Sequence, residues 1–185
     1  MRNARLLALP LLIALAPLIS GQAAVPAGLP LDSGPAGRAD ATAHIVASIL
    51  AYSRWPSPPA PVRLCVIGPA DHADNFARLA LPQAGAQRGL RIQRRDIGPT
   101  APAIAGACDA VYIGKLPLPA MRLVTAAARG QAIVTIAEND PDCRSEAMFC
   151  LIHAPTALSF RINLDAVSRS TVRIDPRVLR ISRGY

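Results

Sequence analysis

The sequence predicts an α/β fold, a three-layer sandwich with a mixed, mainly parallel central sheet flanked by helices and a C-terminal antiparallel hairpin. Three observations carry this. Short runs rich in β-branched residues alternate with helical patterns from residue 38 to residue 137, the order that builds parallel strands joined by crossover helices. After residue 137 the alternation stops, and two runs, 148–153 and 158–163, oppose each other across a turn at 154–157. The 185 residues, less an expected leader of 23, suffice for one domain with its own core.

The elements follow in order. Arg2 and Arg5 precede an apolar run at 6–19, and Gly21-Gln22-Ala23 offers a small-x-small cleavage pattern. This reads as a cleavable signal peptide over 1–23, too short for a bilayer span of about 20 apolar residues. Residues 24–37 hold three prolines among Ala and Gly and are expected to form a disordered tether. The domain is expected over 38–185. Ile45, Val46, Ile49 and Leu50 share one face of a helix over 38–54, stopped at Trp55-Pro56 because the residue before proline disfavours the helical region.

A strand is expected over 62–68, ending in a glycine turn. Asp71 is placed to cap a helix running to about Leu81. Alternation at 90–96 suits a half-exposed strand, and 110–113 a short buried one. Pro119 opens a helix that Gly130 closes, and a strand at 132–137 follows. Beyond the hairpin come a short helix at 164–170 and a last helix capped by Asp175 with Pro176 at its first position.

Charge narrows the function. The net charge of +8 is almost all arginine, with Lys115 the only lysine. The arginines are scattered and aromatics are 4% of the chain, so the pattern of a nucleic-acid module is missing. A basic surface facing an acidic protein or an anionic membrane face is the better reading. Gly68-Pro69-Ala70 lacks any Gly-x-Gly-x-x-Gly or P-loop pattern, and no Gly-x-Ser-x-Gly occurs. His44, His72 and His153 show no metal-ligand spacing and read as surface or satisfied core histidines. No catalytic residue, cofactor or metal is assigned.

The four cysteines do not form Cys-x-x-Cys, and behind an export signal they imply two disulfides. Three pairings are possible. The favoured one joins Cys143 to Cys150 as a local clip and Cys65 to Cys108 as a tie between the first main strand and the loop entering the next. The chain-entropy estimate gives about 4 kcal/mol for the longer ring and about 2–3 kcal/mol for the shorter.

Five segments together resemble the YfiR family of periplasmic proteins. They are Ala51-Tyr52-Ser53-Arg54-Trp55-Pro56, Leu64-Cys65-Val66-Ile67-Gly68, and Cys108-Asp109-Ala110-Val111-Tyr112-Ile113-Gly114. The fourth is Cys143 to Cys150 with its tail Met148-Phe149-Cys150-Leu151. The fifth is Phe160-Arg161-Ile162-Asn163-Leu164-Asp165-Ala166, continued by Val172-Arg173-Ile174-Asp175 and Val178-Leu179-Arg180. The resemblance covers residues 38–183. It departs at Ala47-Ser48-Ile49, where the family often has an aromatic-Asn-aromatic stretch, and at the short turn 155–157.

The resemblance implies regulation rather than catalysis. Such a protein is a periplasmic, dimeric repressor that binds the periplasmic sensor region of an inner-membrane diguanylate cyclase, lowering cyclic di-GMP and biofilm formation. An OmpA-like outer-membrane lipoprotein can sequester it. The resemblance implies the same disulfide pairing. The expected partner surface is the basic, partly apolar C-terminal region: Arg161, Arg169, Arg173, Arg177 and Arg180 beside Val172, Val178 and Leu179. The alternative is a periplasmic small-molecule-binding sensor domain without a cyclase partner, using the strand-end loops near Gly68 and Gly114.

Overall fold

A computed structural model describes residues 28–32, 34–78, 89–95 and 104–183. The expected leader lies outside these residues. Among the described residues nine strands form a seven-stranded sheet and a two-stranded ribbon. The large sheet has the order β1-β8-β7-β6-β5-β3-β4. Its members are β1 (Leu29–Pro30), β3 (Val62–Ile67), β4 (Leu90–Arg95), β5 (Ala110–Ile113), β6 (Val134–Ala137), β7 (Phe149–His153) and β8 (Ala157–Ile162). From β4 to β7 every pairing is parallel; β8 pairs antiparallel with β7, and β1 antiparallel with β8. The β7–β8 hairpin is the one the sequence predicts.

The helices cover both faces, giving three layers. On one side lies α1 (Gly34–Ala51), with Ile45, Val46, Ile49 and Leu50 buried against Leu64, Val66, Tyr112, Ile136 and Phe149. On the other lies α2 (Leu118–Ala128), whose Met121 and Val124 pack on Ile67, Val111 and Ile113. The central strands β3, β5 and β6 are buried on both faces, which is why their sequences are nearly unbroken apolar runs.

Several boundaries differ from the sequence reading. The expected tether over 24–37 is ordered in its described part, since Leu29 and Pro30 pair with Leu158 and Ala157 and α1 begins at Gly34. α1 ends at Ala51 rather than Arg54, because β2 (Ser53–Arg54) pairs with β9 (Arg173–Ile174) to form the small ribbon. Asp71 caps no helix; the described part of that region is a 3-10 turn, Asp74–Arg78, and residues 79–88 lie outside the described set. Asn163 caps α3 (Leu164–Ser168) by accepting from Ala166 N–H. The last helix is a 3-10 segment, Pro176–Arg183.

Parallel neighbours normally need a crossover helix. Between β6 and β7 a loop replaces it, docked on α2. Asp140 holds the loop's turn by accepting from Arg144 N–H and Ser145 N–H at 2.9 and 2.8 Å. Thr125 Oγ1 on α2 donates to Ser145 O at 2.7 Å, and Arg122 Nε donates to Arg144 O at 3.0 Å.

At the opposite end of the sheet, Asp109 ties three elements. Its carboxylate accepts from Arg63 N–H, Nε and Nη2 at 2.8, 2.9 and 2.7 Å. Its carbonyl accepts from the buried Trp55 indole at 3.1 Å. Asp109→Ala leaves the Arg63 main-chain N–H and guanidinium without this acceptor. It is expected to cost about 2 kcal/mol, read as a lower urea midpoint at unchanged slope. An unchanged midpoint would contradict this role.

Candidate functional site

Three places could carry function: the C-terminal ends of the parallel strands, the disulfides, and the arginine-rich C-terminal segment.

Open α/β sheets leave a crevice at their strand ends where the strand order reverses. Here that point lies between β3 and β5, at Gly68 and Gly114, and it is filled. A Cβ on Gly114 would stand 2.1 Å from Pro69 O, and one on Gly68 would stand 2.7 Å from a Leu116 methyl. Lys115 N–H also donates to Pro69 O at 2.6 Å. The two glycines therefore let two loops interlock and do not cradle a phosphate.

Beneath the loops sits Glu138, 1% exposed, just past the end of β6. Its Oε1 accepts from His72 N–H at 2.8 Å and from the Tyr112 hydroxyl at 3.1 Å, while Oε2 accepts from Asp71 N–H at 3.2 Å. A carboxylate so engaged pins the loop after β3. Burial, then the Glu138 charge and hydrogen bond, push the Tyr112 phenol well above its ordinary range. The Asp71 side chain pairs with Lys115. Lys115 donating to it holds Asp71 below the usual carboxylate range and raises Lys115 in turn.

His72 and His153 are brought together here, with ring centroids 4.5 Å apart. His44 is exposed on α1. His153 is half-buried, its ring against that of His72 and near the Glu138 main chain. Burial, and then the His72 charge, lower its imidazole to about 4, partly opposed by the Glu138 main chain.

The disulfides join Cys65 to Cys108 and Cys143 to Cys150, with Cα separations of 5.7 and 5.4 Å. The first is buried where β3 meets the loop entering β5. The second clips the loop between β6 and β7.

The C-terminal segment is not one surface. Val172 and Val178 are 2% and 1% exposed and belong to the core under α1, so both are removed from the expected contact set. Leu158 and Phe160 face that same core, so the alternation of β8 sends Arg161 to the opposite face of the sheet, in register with Cys150. Arg169 pairs with Asp165 on α3. Of the expected set, Arg173, Arg177 and Arg180 are exposed beside one another in the chain, with Leu179 at 49% exposure. Arg177 grips Asp175 through Nε and Nη2 at 3.1 and 2.6 Å and lies 5.8 Å over the Tyr52 ring. That grip lowers Asp175 to about 2.

The chain matches one protein family, described as YfiR/HmsC-like, over residues 39–183. The match takes in both disulfides, the strand-end cluster and the C-terminal segment.

The His153 result gives a pH prediction. A folded value near 4 lies below the ordinary histidine value of 6.5. Between those limits the unfolded chain binds the proton that the fold refuses. The His153 contribution to stability is therefore fully present above about pH 6.5 and is lost as pH falls toward 4. In an NMR titration the His153 ring should titrate near pH 4, and His153→Phe should flatten the fall in thermal midpoint between pH 6.5 and 4. A His153 midpoint at or above 6.5 would contradict the burial argument.

Proposed function

The chain belongs to the YfiR/HmsC-like family, a family of periplasmic regulators of diguanylate cyclases rather than enzymes, and from this we propose that it is a periplasmic repressor. It binds the sensor region of an inner-membrane diguanylate cyclase and holds cyclic di-GMP synthesis, and with it biofilm formation, down. The observation that carries the reading is the family match over residues 39–183, nearly all of the described fold. Two disulfides are compatible with an oxidising compartment. Among the described residues no helix is long and apolar enough to cross a membrane.

The mechanism is a population shift. A protein that binds one state of the sensor region more tightly biases the cyclase toward that state, by no more than the difference in affinity. A second partner, such as an OmpA-like lipoprotein, relieves repression by competing for the same molecule. A homodimer is the proposed form.

The proposed contact is the exposed patch Arg173, Arg177, Arg180 and Leu179. Exposed arginines beside an exposed leucine in the chain suit a partner that offers carboxylates around an apolar pocket. The β2–β9 pairing, Ser53 with Ile174 and Arg54 with Arg173, holds Arg173 on a ribbon, and Arg177, Leu179 and Arg180 stand on the 3-10 segment that follows.

The test is a pull-down with the periplasmic domain of the neighbouring cyclase. Arg173→Glu with Leu179→Ala should cut capture at least about tenfold, a loss of about 1.4 kcal/mol, and leave the thermal midpoint unchanged. Capture at the level of the unsubstituted protein removes this patch from the contact.

A further inference from the structure

β4 (Leu90–Arg95) ends the large sheet on one side. Among the described residues it pairs with β3 alone, so one of its two edges is open. The phase of that edge follows from the ladder. Val62 stands opposite Leu90, and Val62 N–H donates to Gly89 O at 2.9 Å. In a parallel pair this register turns the main-chain groups of Arg91 and Gln93 toward β3. Those of Leu90, Ile92 and Arg94 turn the other way, into the row of N–H and C=O groups that an edge strand offers to a further strand. The strand itself is anchored, since Leu90 and Ile92 are half-buried against the core under α1.

Arginine is scattered over the chain as a whole but dense here, at three of the six residues of β4. Arg91 is exposed and stands in register with Arg63, whose guanidinium is already held by Asp109. Among the described residues no carboxylate pairs with Arg91. Arg94 reaches Asp74 at 3.5 Å, with 57% and 78% of the two side chains exposed, so solvent leaves this pair little net value. The open edge is therefore positively charged as well as unpaired.

Charge selects the occupant. A second copy of this strand would set arginines against arginines, and like charges across paired strands are destabilising. An extended segment bearing carboxylates reverses that term. Its main chain meets the groups of Leu90, Ile92 and Arg94, as in other cases of strand addition. Arg91 and Arg94 lie on opposite faces of β4 by alternation, so the segment needs acidic residues on both of its faces. We propose that the open edge of β4 takes up an extended acidic segment of another protein as an added strand. The C-terminal segment packs on β1 and β8 at the other end of the sheet, so this contact and the cyclase contact can fail separately.

The experiment is a 15N NMR titration of the protein with the end-capped peptide Glu-Val-Glu-Glu-Val-Glu, which matches β4 in length. The Leu90, Ile92 and Arg94 amides should shift saturably. The peptide with lysine at each glutamate should bind at least about tenfold more weakly. The acidic peptide methylated at every backbone nitrogen keeps its charge but cannot donate to a ladder, and it should bind at least about fivefold more weakly. Arg91→Glu with Arg94→Glu should invert the preference, so that the lysine peptide binds better while the spectrum remains that of the folded protein. The proposal is overturned if the acidic peptide moves none of these amides up to about 5 mM, a range that captures a low-millimolar Kd. It is equally overturned if the lysine or the methylated peptide binds as well, or if the double variant keeps the original preference. Shifts of the same amides on concentrating the protein without peptide would assign the edge to a second copy and overturn it too.

Discussion

Asp109 is the constraint on which the rest of the fold depends. Its side chain takes the Arg63 fork, its carbonyl takes the Trp55 indole, and its neighbour Cys108 is bonded to Cys65. One residue thereby joins the chain leaving α1, the first residues of β3 and the entry to β5. The join is made on both faces at once, because Trp55 belongs to the core under α1 while Cys65 and Cys108 belong to the core under α2. A domain of this size rests on a few kcal/mol of net stability. A disulfide and a charge-assisted fork at one point fix the register of the central parallel strands, and every later element is built outward from them.

The same economy explains where function is and is not. The strand-end crevice that α/β proteins commonly use is closed by Gly68, Pro69, Gly114 and Leu116, and Glu138 spends its oxygens on the loop above it. A sheet sealed in this way offers its outer surfaces instead. One of them carries Arg173 on the β2–β9 ribbon and Arg177, Leu179 and Arg180 on the 3-10 segment that follows.

Much of this was legible in the sequence because it rests on local rules. The β-branched runs at Val62–Ile67 and Ala110–Ile113 are strands for reasons visible in the residues themselves, and the cysteine spacing confines the pairing to a few choices. What was hidden depends on partners distant in the chain. Nothing near Arg54 announces that it will pair with Arg173 and so end α1 early. Val172 and Val178 look like surface residues because arginines flank them; only the placement of α1 buries them. His72 and His153 stand far apart in sequence, and no spacing rule anticipates their contact.

The central claim is that this protein lowers cyclic di-GMP by acting on a cyclase from outside the cytoplasm. Cyclic di-GMP measured in cells with and without the chain tests it most directly. Removal of the chain should raise the nucleotide severalfold, and a secreted copy should restore the low level where a copy lacking residues 1–23 does not. An unchanged level on removal, or restoration by the copy without residues 1–23, would contradict the account.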